Sequence, residues 1–137
     1  MMKKIQEIEL NQYRNKCIEE RFVSLLINKD LQEISKLLNP LGTFSNMGKS
    51  KFIDYLEDIF LVFNYKIVSY HKNYSTRLKV SEVVHSFKFS MFDRHNVEIE
   101  SIKFNLLLTF SENQIQSIYT ENDFITEEEF EIRQFNN

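Results

Sequence analysis

Three groupings in this 137-residue chain have residue types and spacings that could do chemistry. The first is LGTFSNMGKS, residues 41–50, which ends in Gly48-Lys49-Ser50 ahead of an apolar-periodic run and has the look of a loop that cradles nucleotide phosphates. The second is the acidic trio Asp54, Glu57 and Asp58, gathered within about one helical turn. The third is His85, a candidate general acid or base because imidazole titrates nearest neutrality, with the hydroxyls of Tyr70 and Tyr119 as possible companions.

Spacing removes the first two. A phosphate loop needs four residues between its glycines so that the backbone N–H groups converge, and here five separate Gly42 from Gly48. The stretch also follows the helical LQEISKLL and Pro40 instead of a buried strand, so a turn and a helix start are expected around Lys49. The acidic trio fits the solvated face of a helix. His71, His85 and His95 lack ligand spacing, and Asp93-Arg94-His95 sits in a turn-like segment, so no metal and no cofactor is expected. Cys17 has no neighbouring base in sequence and reads as a buried thiol.

The elements that must position His85 follow from periodicity. Ile18, Phe22 and Leu25 mark a first helix. Asp30 can cap a second, with Glu33 three residues on and Leu31, Ile34, Leu37 and Leu38 as its stripe. Ser50 can cap a third, carrying Phe52, Ile53, Leu56, Ile59, Phe60 and Phe63. From Tyr65 the period becomes two. VVHSFKFSMF sets Val83, His85, Phe87, Phe89 and Met91 against Val84, Ser86, Lys88 and Ser90, and SIKFNLLLTF sets Ile102, Phe104, Leu106, Leu108 and Phe110 against Lys103, Asn105 and Thr109. YKIVSYHKNYS and QIQSIYTEN supply two more strands. Helix, helix, short strand, helix and a four-stranded antiparallel meander make an α+β pattern. One domain over 1–125 is expected, with 126–137 an acidic tail or a short helix that Thr126 and Glu129 would cap.

RFVSLLINKDLQEISKLLNPLGTFSNMGKSKFIDYL resembles the opening of the nuclear transport factor two-like superfamily, which includes SnoaL-like cyclases and ketosteroid isomerases. A first helix ends in a polar joint and an Asp (Asp30), then come a Leu/Ile-spaced helix, a short strand, and a Gly (Gly48) before a long helix with Phe52 four places on. LLLTFSENQIQSIYTENDF resembles the closing strands. The resemblance implies a curved sheet wrapped around three helices into a cone with an apolar pocket, and pairing of two copies through the outer sheet face. It also implies where ketosteroid isomerases keep their catalytic groups: those positions fall on Phe22, Ser45-Asn46 and Leu106, which cannot do that chemistry.

The expected function is therefore a non-catalytic domain, either a dimeric structural module or a binder of a small apolar molecule in a pocket of Phe22, Tyr70, His85, Phe87, Phe89, Phe104, Leu106 and Tyr119. The alternative is an isomerase, cyclase or lyase using His85 with Tyr70 or Tyr119. Ile67, Val84 and Leu107 on the outer face suggest the homodimer. A net charge of −3 without a Lys/Arg cluster argues against nucleic acid. No run approaches the roughly 18 to 20 apolar residues of a membrane span. With a single cysteine and a charged start, a cytoplasmic location is expected.

Overall fold

A computed structural model describes residues 2–62, 64–76 and 82–135; Phe63, expected on the third helix stripe, lies outside them. Helix α1 spans Met2–Ile27 and enters the core through Phe22, Leu25 and Leu26. It stops where Lys29 takes a positive φ of 57°. The Asp30 N–H returns to the Leu25 carbonyl at 2.9 Å and the Lys29 N–H to Leu26 at 3.1 Å, the paired closure of a Schellman motif. Asp30 then caps α2 (Leu31–Leu37), its carboxylate accepting the Glu33 N–H at 3.2 Å. Two adjacent residues thus end one helix and begin the next.

Strand β1 (Leu38–Phe44) follows without a loop. The glycine-containing stretch is the end of this strand and a tight turn: Phe44 and Met47 exchange backbone hydrogen bonds at 2.7 and 2.9 Å around Ser45 and Asn46, both at positive φ. Gly48 occupies the N-cap of α3 (Lys49–Glu57) without a side-chain bond, so Ser50, expected as the cap, lies inside the helix. The expected long third helix loosens into a π-helical turn over Asp58–Val62, which still buries Ile59 and Phe60. Asp54, Glu57 and Asp58 are exposed.

The remaining strands are β2 (Lys66–Ser75), β3 (Val83–Phe92), β4 (Glu98–Ser111), β5 (Gln114–Thr120) and β6 (Phe124–Thr126). They form one six-stranded sheet in the order β1-β5-β4-β3-β2-β6. All neighbours are antiparallel except β1 and β5, which run parallel. Sequence periodicity indicated the four central strands; β6 and the parallel edge are additions to that meander. Helix α4 (Glu127–Phe135) closes the described chain, the Glu129 N–H donating to Thr126 Oγ1 at 3.2 Å, and Phe130 stacks on Tyr74.

The inner face of the sheet packs on the helices through aromatic rings. Phe87 and Phe89 are buried, Phe60 lies 5.7 Å from Phe89, and Phe104 meets Phe89 and Tyr55 edge-on. On the opposite face Val84 and Leu107 pair in register and are buried, flanked by Asn73 and Tyr119 on the next strands. Two of the three apolar residues expected to form a dimer surface are therefore already covered within one chain. Cys17 is exposed, contrary to the expected buried thiol: the side of α1 turned to the core at this turn carries its neighbours Ile18 and Glu19, which are partly buried.

The two glycines can be told apart experimentally. A Cβ on Gly42 would stand 2.3 Å from the Gln116 carbonyl oxygen on β5, whereas one on Gly48 meets nothing within 4 Å. Gly42→Ala should destabilise the fold by about 1–3 kcal/mol in urea unfolding, as overpacking does. Gly48→Ser should be neutral or stabilise by a few tenths of a kcal/mol through a better cap. Equal effects would contradict this packing of β1 on β5.

Candidate functional site

Alternation along β3 puts His85 on the inner face, where it is only 2% exposed. A buried imidazole needs partners for both nitrogens. Nδ1 lies 2.7 Å from the Tyr70 hydroxyl on β2, and Nε2 lies 2.6 Å from Glu19 Oε1 on α1. The Tyr70 and His85 rings are stacked, 13° from parallel, and Tyr70 also packs on Phe87 at 4.8 Å between centroids. Carboxylate, imidazole and phenol thus form one chain of hydrogen bonds from helix to sheet.

That chain borders a cavity of about 390 Å³. Helix α1 contributes Lys16, Glu19, Glu20 and Val23, at positions i, i+3, i+4 and i+7 of one helix face. Strand β2 contributes Tyr70 and Lys72, two apart, and β3 contributes Val83 and His85, also two apart. Lys72 stands opposite His85 in register, so the cation and the imidazole share one end of the sheet's inner face.

Burial is the main reason the Tyr70 phenol is pushed up, to about 12, and the Glu19 charge adds to it. Tyr70 therefore stays protonated at neutral pH. It is present as a phenol hydroxyl and not as a standing phenolate.

Of the eight residues expected to line a pocket, the structure brings together Tyr70 and His85. Phe22, Phe87, Phe89 and Leu106 are core side chains, and Phe104 is partly buried between Tyr55 and Phe89. The large rings fill the concavity that they were expected to line. Tyr119 pairs with Leu107, whose neighbour Leu106 is the residue that faces His85, so it lies on the other face and is 48% exposed. Asn46 sits in the tight turn after β1. Glu19 escaped sequence reasoning; its one signal was its place beside Ile18 and three residues before Phe22, at the edge of the apolar stripe. Among the described residues no group of three or more His, Cys, Asp and Glu is arranged to hold a metal ion. No described helix is long and apolar enough to cross a membrane.

Helices inside a curved, mostly antiparallel sheet recur in solved structures. An NTF2-like protein of unknown function from Cytophaga hutchinsonii superposes with a TM-score of 0.53 over 75% of this chain and 94% of its own, at 14% identity. The chain has the NTF2-like fold. A candidate polyketide cyclase from Xanthomonas campestris gives a TM-score of 0.54 at 9% identity, over 80% of this chain and 90% of its own. A second, from Pseudomonas putida, gives 0.52 at 10% identity over 77% and 89%. No protein-family model and no curated protein matches the sequence. At these identities the likeness concerns the NTF2-like fold, and function has to be argued from the site.

The Tyr70 phenol offers a direct check. In ¹³Cζ-tyrosine NMR it should titrate near 12, and Glu19→Gln should bring it down while burial keeps it above 10. Since the folded phenol holds its proton where an unfolded one has lost it, Tyr70 adds a stability present below pH 10 that fades as pH rises from 10 to about 12. A Tyr70 that titrates at 10 would mean the phenol is not enclosed as described.

Proposed function

We propose that this NTF2-like domain is a small-molecule enzyme of the acid–base kind, working at a carbonyl or hydroxyl oxygen that enters the cavity beside Tyr70. The observation that carries it is the Glu19, His85, Tyr70 hydrogen-bond chain ending at a cavity large enough for a compact organic molecule.

The chain can work in two proton registers. With His85 as imidazolium facing the Glu19 carboxylate, Nδ1–H donates to the Tyr70 oxygen and the phenol proton is free to go to a substrate oxygen. As negative charge grows there, Tyr70 gives its proton to the substrate and takes one from His85, so the phenol is restored and no phenolate accumulates. With His85 neutral, Tyr70 donates to Nδ1 and its oxygen can accept a proton from a substrate hydroxyl. Glu19 holds the ring in place in both.

Glu20 lines the same cavity and makes no hydrogen bond or ion pair among the described residues. It is the group placed to take a proton from carbon while Tyr70 protonates the oxygen, which amounts to enolisation. Isomerisation, aldol-type cyclisation and loss of a β-hydroxyl all pass through that step. The cyclase description of the two bacterial neighbours is compatible with such chemistry. The non-catalytic reading rested on a phenylalanine-lined pocket, whose rings belong to the core, and on Phe22, Ser45-Asn46 and Leu106 standing where ketosteroid isomerases keep their catalytic groups; the acid–base proposal uses a different set of groups, Glu19, His85, Tyr70 and Glu20.

Enolisation can be detected before the product is known. Incubated in D₂O with a panel of cyclic enones and β-hydroxy ketones, the protein should exchange α-hydrogens of at least one class faster than buffer. Tyr70→Phe and His85→Gln should each lower that rate by about 10²–10⁴-fold, the usual worth of a positioned acid or base. If no compound exchanges, or the variants exchange as fast as the parent, the enzyme proposal is wrong.

A further inference from the structure

We infer that the molecule bound in the Tyr70 cavity carries a carboxylate, seated on the ammonium groups of Lys16 and Lys72; this rests on the cavity being the working site. The two lysines reach it from opposite walls, Lys16 from α1 and Lys72 from β2. Three other lysines are engaged, Lys36 with Glu33 at 2.9 Å, Lys88 with Glu98 at 3.2 Å, and Lys29 with the Tyr65 carbonyl at 2.5 Å, while Lys49 and Lys51 make no hydrogen bond or ion pair among the described residues but lie away from the cavity. Among the described residues Lys16 and Lys72 have no such partner.

Charge counting around the cavity points the same way. Glu19 is bonded to His85, and in the register with His85 as imidazolium those two charges cancel, leaving Lys16 and Lys72 against Glu20 with one positive charge in excess. With His85 neutral the four side-chain charges cancel, so a monoanion is favoured in the register that primes Tyr70 to donate its proton. Lys72 faces His85 across the β2–β3 pair, so a carboxylate held there lies beside the relay and not far out in solvent. Val23 and Val83 supply the apolar wall for the carbon skeleton. The ligand class is thus a compact, mostly hydrocarbon oxo-acid, with its carbonyl toward Tyr70 and its carboxylate between the lysines.

The test compares 1-naphthoate with its neutral isostere 1-naphthamide by titration calorimetry at low salt. Naphthoate should bind roughly fivefold to tenfold more tightly, the scale for two partly exposed charge pairs. That preference should shrink at 0.5 M NaCl, vanish in a Lys16→Met, Lys72→Met double variant, and persist within about twofold in Tyr70→Phe. Because both lysines are exposed, the double variant should keep its fold; if it does not, Lys72→Gln and the salt series decide. Equal binding of the two compounds, binding of neither, or a preference that survives the lysine substitutions overturns the inference. If the preference fails while Tyr70→Phe still abolishes exchange in D₂O, only the carboxylate is lost. If the preference holds while exchange is indifferent to Tyr70, the enzyme reading falls and anion binding stands.

Discussion

An imidazole buried on an apolar sheet face is tolerable only when both of its nitrogens are bonded, and that requirement organises this molecule around His85. One partner can come from the next strand, and Tyr70 supplies it. The other has to come from whatever covers the sheet. Glu19 therefore ties α1 to β3 at a fixed height and rotation, since 2.6 Å leaves little freedom in where the helix lies. Once α1 is held there, the helix face that carries Glu19 also presents Lys16, Glu20 and Val23 to the same gap, and the cavity is the space that results.

The aromatic core next to this cavity is closed. Phe22, Phe44, Phe87 and Phe89 are fully buried, and tilted or edge-on ring contacts run from Tyr70 through Phe87 and Phe89 to Phe104 and Tyr55. Close packing of that kind makes the sheet a stiff wall behind the relay. The buried imidazole and its partners sit at the seam where α1 meets β2 and β3, and on that inner face the aromatic layer begins at the next pair along, Tyr70 and Phe87.

Much of this was legible from the residues. Period two over VVHSFKFSMF gave β3 its bounds and put His85 inside, because alternation is a property of the backbone. Asp30 was recognisable as a cap for the same local reason. What was not legible depended on distant partners. Periodicity says which face a phenylalanine occupies but not whether that face is filled or hollow, so Phe87, Phe89 and Leu106 looked like a pocket and are a core. Tyr119 could be placed only by its register with Leu107, which is a matter of pairing between strands. Glu19 looked like one more acid on a charged helix, since nothing local shows that an imidazole 66 residues later will reach for it. The parallel edge of β1 and the π-helical turn after α3 belong to the same class of long-range outcome.

The pairing of β1 with β5 also has a temporal side. Asn39 and Gln116, which bond across that edge, are 77 positions apart, and the helices that precede β1 bury Phe22, Leu26 and Ile34 against strands made still later in the chain. During synthesis on the ribosome the front half emerges with these side chains uncovered and nothing to close over them. Long-range closure of this kind slows folding and prolongs the interval in which sticky surface is on display. Acid, imidazole and phenol meet only when that interval ends, so their hydrogen-bonded chain is complete only in the finished tertiary structure and not before it.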